Sequence, residues 1–125
     1  MNPILNELVK HTKIPDNSAI LVDFWDTRCG TCVAEMPNLK RAYEKYRDKG
    51  LEIVGVCLDD DEQEFKKFVA EHDIRWPQIF DGKSWSGDLV KLFGVEGLPA
   101  LFFFNRKGEL MQPTLDAQIA SILEE

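Results

Sequence analysis

The apolar positions of this chain fall into blocks of two kinds, short continuous runs and stretches with a helical period. Ile4, Leu5, Leu8 and Val9 recur at helical spacing and predict a short amphipathic helix in the first dozen residues, broken by Pro15, Asp16 and Asn17. AILVDFW (Ala19–Trp25) is a strand-length apolar run with one acid inside it, the pattern of a strand covered on both faces. Over residues 32–49 the period turns helical, with Met36, Leu39, Tyr43 and Tyr46 on one face, Pro37 expected to kink the helix, and Lys49-Gly50 as its stop. LEIVGVCL (51–58) reads as a second buried strand. Asp59, Asp60 and Asp61 then offer an N-cap and an acidic first turn to a helix that carries Phe65, Phe68 and Val69 inward and ends near His72. A short strand over 76–80, a turn over 81–83 and a short helix over 86–93 follow. Residues 101–104 read as a strand, 105–108 as a hairpin turn, 109–111 as its second arm and 115–123 as a closing helix. Strands alternating with helices predict an α/β layered fold, parallel across the long crossovers, with an antiparallel edge from the terminal hairpin.

Composition narrows the class. The chain has 125 residues, 44% hydrophobic and 30% charged, with no repeat or low-complexity tract to divide it, so residues 1–125 are expected to form one domain. Fifteen Lys plus Arg against 22 Asp plus Glu leave a net charge of −7. That balance, without a basic stripe, argues against nucleic acid and against anionic membrane surfaces as partners. No apolar stretch approaches the roughly 18–20 residues that span a bilayer, and MNPILNELVKHTK lacks the charged start and apolar run of a secretory signal. Three cysteines are too few for a disulfide scaffold, so their spacing carries the information.

Cys29-Gly30-Thr31-Cys32 sits where the AILVDFW strand hands over to a helix. Cysteines three apart on a first helical turn project to one side, so their sulfurs can meet. The first lies at the helix N-terminus, where unpaired amides and the macrodipole favour an anion, and the thiolate is the reactive species. Cysteines in such motifs have pKa values of about 3.5–7, against about 8.5 for a free thiol. The chemistry this permits is exchange: Cys29 attacks a disulfide, and Cys32 resolves the mixed disulfide. A zinc site would need about four ligands. Beyond this pair only Cys57, His11 and His72 remain, widely scattered.

LVDFWDTRCGTCVAEMP resembles the active-site segment of the thioredoxin superfamily, in particular the TlpA/ResA-type thiol-disulfide oxidoreductases. Gly97-Leu98-Pro99-Ala100 followed by LFFF resembles the cis-proline loop and its strand, and Asn105-Arg106-Lys107-Gly108 the hairpin turn beyond it. The likeness runs over about residues 17–124. It implies a thioredoxin-like fold, a central mixed sheet flanked by helices, with a TlpA-type helix–strand–helix insertion at about 60–93. It also implies roles. Cys29 resembles the exposed nucleophile, Cys32 the buried resolving thiol, Asp23 the buried acid of thioredoxins and Glu35 the glutamate of a CxxCxxExP pattern. Pro99 resembles the cis proline that pairs substrate backbone beside the disulfide, and Leu98, Trp25 and Arg28 join it as expected substrate contacts. A carboxylate near Cys32 can take its proton; how Asp23 and Glu35 divide that task stays open, with a solvent-facing acid and a surface helix charge as their plain structural readings.

The same resemblance implies protein thiols and disulfides as substrates, a dithiol redox partner, and no organic cofactor or metal beyond the Cys29–Cys32 couple. It favours an extracytoplasmic, periplasmic setting behind a membrane anchor that is not in this chain. Arg28 stands where thioredoxins commonly carry Trp and puts a cation beside Cys29, Asp26 brings an opposing charge, and Thr31 replaces proline and can hydrogen-bond a thiolate. Two other functions fit the motif less well. A peroxiredoxin-related thiol peroxidase needs Thr three residues before its cysteine, whereas Thr27 precedes Cys29 by two. A CxxC metal-carrying module would add a histidine near Pro99, and none lies there. Cys57 reads as a buried apolar residue, His11 and His72 as helix-end residues, and Trp76 and Trp85 as core or groove.

Overall fold

The computed structural model describes residues 2–111. The helix expected over 115–123 lies outside the described residues. Helix α1 (Pro3–Val9) opens on Asn2, whose side chain accepts from the Ile4 amide, with Pro3 in the first turn where its missing N–H costs nothing. Then come β1 (Ala19–Trp25), α2 (Gly30–Tyr46), β2 (Leu51–Cys57), α3 (Glu62–Glu71), β3 (Gln78–Phe80), α4 (Asp88–Phe93), β4 (Ala100–Phe104) and β5 (Leu110–Met111). Residues 60–93 hold α3, β3 and α4.

The five strands form one sheet in the order β3-β2-β1-β4-β5. β1 pairs parallel with β2 and β2 with β3, while β4 runs antiparallel to β1 and β5 antiparallel to β4. Antiparallel pairing therefore starts in the middle of the sheet, at β1–β4, and not only at the terminal hairpin. One consequence matters for the site. Phe24 pairs with Ala100, so the end of β1 that leads to Cys29 lies beside the start of β4, which follows Pro99.

All seven residues of β1 are buried, and their alternation divides the core. Ala19, Leu21 and Trp25 face a cluster that includes Cys32, Met36, Leu39 and Tyr46 of α2, with Phe65 and Phe68 of α3 packed against it. Ile20, Val22 and Phe24 face a second cluster built with Leu5 and Leu8 of α1 and Leu89, Val90 and Phe93 of α4. Two-sided burial explains why the run showed no polar alternation. Asp23 shares the face of Leu21 and Trp25, so it points under α2.

Local differences from expectation have local causes. α2 starts at Gly30, two residues before the expected position, because the Cys29 sulfur acts as its N-cap. It continues through Pro37 to Tyr46, and a single 3₁₀ turn carries the chain to Gly50, whose φ of 103° ends it. β3 is shorter than expected, covering only Gln78–Phe80, and Trp76 ahead of it is buried in the core. Trp85 is 45% exposed.

Candidate active site

The loop between β1 and α2 is tied to the end of β2. Leu58 N–H donates to the Trp25 carbonyl at 2.8 Å. The carboxylate of Asp59 then takes Thr27 twice, from the backbone N–H at 2.8 Å and from the hydroxyl at 2.6 Å. Asp59 is only 2% exposed, so it does not serve the start of α3 as expected. Asp61 alone caps α3, accepting from the amides of Gln63 and Glu64. Asp60 pairs with Arg28, guanidinium to carboxylate at 3.0 Å on the exposed surface. The Arg28 cation is thus turned to Asp60, and such an exposed pair contributes little to stability. Asp26 faces its own loop: Oδ1 accepts from the Arg28 amide and its carbonyl from the Cys29 amide.

This anchored loop delivers Cys29 to the N-terminus of α2. Cys29 and Cys32 form a disulfide with Cα atoms 5.2 Å apart. Cys29 is partly exposed and Cys32 is buried at 2%. The Cys29 sulfur accepts from the Cys32 amide at 3.1 Å and lies 3.4 Å from the Thr31 hydroxyl. The same donors and the helix dipole favour negative charge on that sulfur once the bond is reduced.

Asp23 is 2% exposed. Burial, with the charge of Glu35 adding to it, raises its carboxyl from the ordinary 3.8 to about 7. Glu35 itself is an exposed residue of α2, and Asn38 donates to its Oε2 at 3.4 Å. The Leu98–Pro99 bond is cis. Pro99 is exposed, and Leu98 packs against the cluster that holds Cys32 and Cys29. Trp25 differs from expectation: it is 0% exposed, its rings lie against Phe65 and Phe68, and Nε1 donates to Gln78 Oε1 at 2.9 Å. It offers no surface to a substrate and packs instead in the buried cluster that also holds Cys32. Cys57 is also buried, and desolvation pushes its thiol far up, so it stays protonated and inert. A cavity of about 320 Å³ lies at the other end of the sheet, between α1 and the residues 105–108 turn.

The structure therefore gathers Cys29, Cys32, Asp23, Glu35 and Leu98 at one end of the sheet, leaves Pro99 exposed beside them, turns Arg28 aside and buries Trp25. The profile of the redoxin family matches residues 6–124. The chain belongs to the redoxin family. Among its relatives, the thiol-disulfide oxidoreductase ResA of Bacillus thuringiensis subsp. konkukian is 33% identical over 85% of this redoxin chain and 60% of its own length. ResA of Oceanobacillus iheyensis is 33% identical over 76% of this chain and 48% of its own length. The chain thus spans less than two thirds of the relatives it matches. The thioredoxin domain of a thiol-disulfide oxidoreductase from Bacteroides vulgatus superposes with a TM-score of 0.74 at 27% identity, covering 87% of this chain and 79% of that one. This redoxin is a TlpA/ResA-like member of the thioredoxin superfamily, with the expected thioredoxin-like α/β fold.

Proposed function

We propose that this chain is a thiol-disulfide oxidoreductase acting on protein cysteines, with residues 1–125 as one domain and residues 60–93 as its insertion. The observation that carries the reading is the Cys29–Cys32 disulfide, partly exposed at its first sulfur and seated at a helix N-terminus above a buried acid. In the reducing direction the Cys29 thiolate attacks one sulfur of a substrate disulfide. A Cys29–substrate bond forms, and the substrate's other sulfur leaves as a thiolate. Cys32 then loses its proton and attacks the Cys29 sulfur. The Cys29–Cys32 bond forms, the second substrate thiolate departs, and two electrons have passed from protein to substrate. The oxidising direction is the reverse.

Cys32 is buried, so its proton needs an acceptor inside the protein. Asp23, held near 7 on the face beneath α2, has the right basicity at neutral pH. Glu35 adds a charge that raises Asp23 and is the second acid available at the surface end of the path. The exposed Pro99 and the Leu98 beside it form the ledge against which substrate backbone lies. The redox partner is a second dithiol protein. An oxidising compartment outside the cytoplasm suits a resting disulfide. No helix among the described residues is long and apolar enough to cross a membrane.

The test is direct. Reduced protein mixed with a peptide disulfide is expected to release two peptide thiols for each Cys29–Cys32 bond formed, much faster than free dithiothreitol at equal thiol. A rate no higher than that of dithiothreitol would remove the assignment.

A further inference from the structure

The sheet face beneath α2 is apolar except along one row. Parallel register sets Asp23 of β1 opposite Gly55 of β2, and Gly55 opposite Gln78 of β3. Residues aligned in this way point to the same face. Gly55 leaves a gap in the row, and Gln78 fills it: a Cβ at Gly55 would lie 2.5 Å from the Gln78 amide carbon. The amide therefore sits over β2, about one strand spacing, or ~4.8 Å, from β1.

Its orientation follows from chemistry. The Trp25 indole N–H is a donor only, so it takes the amide oxygen, at 2.9 Å. Nε2 is left on the other side of the amide, buried and without a hydrogen-bond partner. A buried donor left unpaired is costly, and native structures rarely keep one without a purpose. The acid on this row is Asp23.

We propose that Gln78 is a positioning residue for Asp23: oriented by Trp25, it presents Nε2 across Gly55 to the Asp23 carboxyl, directly or through one water, and so stabilises the ionised acid ready to take the Cys32 proton. This rests on the reading of Asp23 as proton acceptor. The surroundings leave few rivals for the effect. α2 contributes Glu35 and the two cysteines, β2 contributes the protonated Cys57, and α3 packs Phe65 and Phe68 on this face, with His72 stacked behind Phe68. β4 brings Leu101 beside Asp23. Of these the charge of Glu35 acts against ionisation of Asp23, and Gln78 opposes it.

Two variants separate the donor from the packing. Gln78→Met keeps the length and removes both polar ends. Gln78→Glu keeps an acceptor for Trp25 and, when ionised, replaces the donor with a second negative charge. Each is expected to raise the Asp23 midpoint by about one pH unit, read by carbon-13 NMR of labelled aspartate in the oxidised protein. The pH midpoint for resolution of a mixed disulfide by Cys32 is expected to move with it. An Asp23 midpoint unchanged in either folded variant overturns the proposal. Because the titration is read on the resting disulfide, it does not depend on turnover. If Asp23→Asn left the resolution rate intact, the proton-acceptor reading would fall and the positioning role with it. If Asp23→Asn slowed resolution while the Gln78 variants left the titration in place, this proposal alone would fall.

Discussion

Asp59 holds Thr27 by both carboxylate oxygens, one on the backbone N–H at 2.8 Å and the other on the hydroxyl at 2.6 Å. These contacts join the end of β2 to the loop that carries Cys29, across 32 residues of sequence. Asp59→Ala leaves the Thr27 amide without its partner and is expected to cost about 2–3 kcal/mol of stability. Thr27→Val keeps the amide contact and loses only the hydroxyl, for about 1 kcal/mol. Because the loop sets where the Cys29 sulfur sits, disulfide exchange by Asp59→Ala is expected to slow by about tenfold. Urea unfolding and peptide-disulfide reduction on the two variants check both parts, and equal behaviour of the two would remove the clamp.

What the sequence revealed and what it hid differ for physical reasons. The run at Ala19–Trp25 was legible because two-sided burial writes a continuous apolar stretch. The same continuity concealed which way Trp25 points, since a run without alternation carries no face, and its burial against Phe65 and Phe68 appeared only in the structure. Cys29 and Cys32 were legible because their spacing and their place before a helix restrict the chemistry. The three successive aspartates were not. Identical side chains were sorted by geometry into a loop clamp, a surface pair and a helix cap. Gln78 gave no signal at all, because its importance depends on a glycine one strand away.

In the proposed mechanism the cysteines have unequal tasks, and single substitutions separate them. Cys29→Ser removes the exposed sulfur and is expected to abolish turnover. Cys32→Ser leaves Cys29 able to attack and nothing to resolve it, so mixed disulfides with protein substrates should accumulate. Mass spectrometry of non-reduced samples measures them. Accumulation with Cys29→Ser in place of Cys32→Ser would reverse the order of attack.

Cys57 gives an internal control. It is 2% exposed, and burial holds its thiol protonated. Iodoacetamide at neutral pH is expected to label Cys29 in the reduced native protein and to reach Cys57 only after denaturation. Cys57→Ala should leave the exchange rate unchanged at a modest stability cost of about 1–2 kcal/mol from the lost packing. Native-state labelling of Cys57 at a rate near that of Cys29 would contradict its place in the core.

Glu35 is exposed, so Glu35→Gln should alter stability by no more than about 0.5 kcal/mol. Its charge is one of the two causes raising Asp23. Removing that charge lowers the Asp23 midpoint, so the pH midpoint for resolution of a preformed mixed disulfide should move to lower pH, while the first attack by Cys29 stays close to the native rate. Stopped-flow traces that resolve the two steps make the comparison, and an unchanged second step would take Glu35 out of proton transfer.

Asp23 also leaves a mark on stability. Its carboxyl lies near 7 in the folded chain, against 3.8 ordinarily. Between those values the folded state holds a proton that the unfolded state has released. The stability that Asp23 contributes is therefore greatest below about pH 4, falls as pH rises through this window and levels off above about 7. The full difference is on the order of 4 kcal/mol. Asp23→Asn has no proton to lose, so its stability should be flatter across the window and exceed that of the native chain at pH 8. Urea unfolding of both oxidised proteins at pH 5 and pH 8 measures the slopes. Parallel slopes would mean that Asp23 is ionised at both pH values, and it would then have no proton to exchange with Cys32 near neutrality.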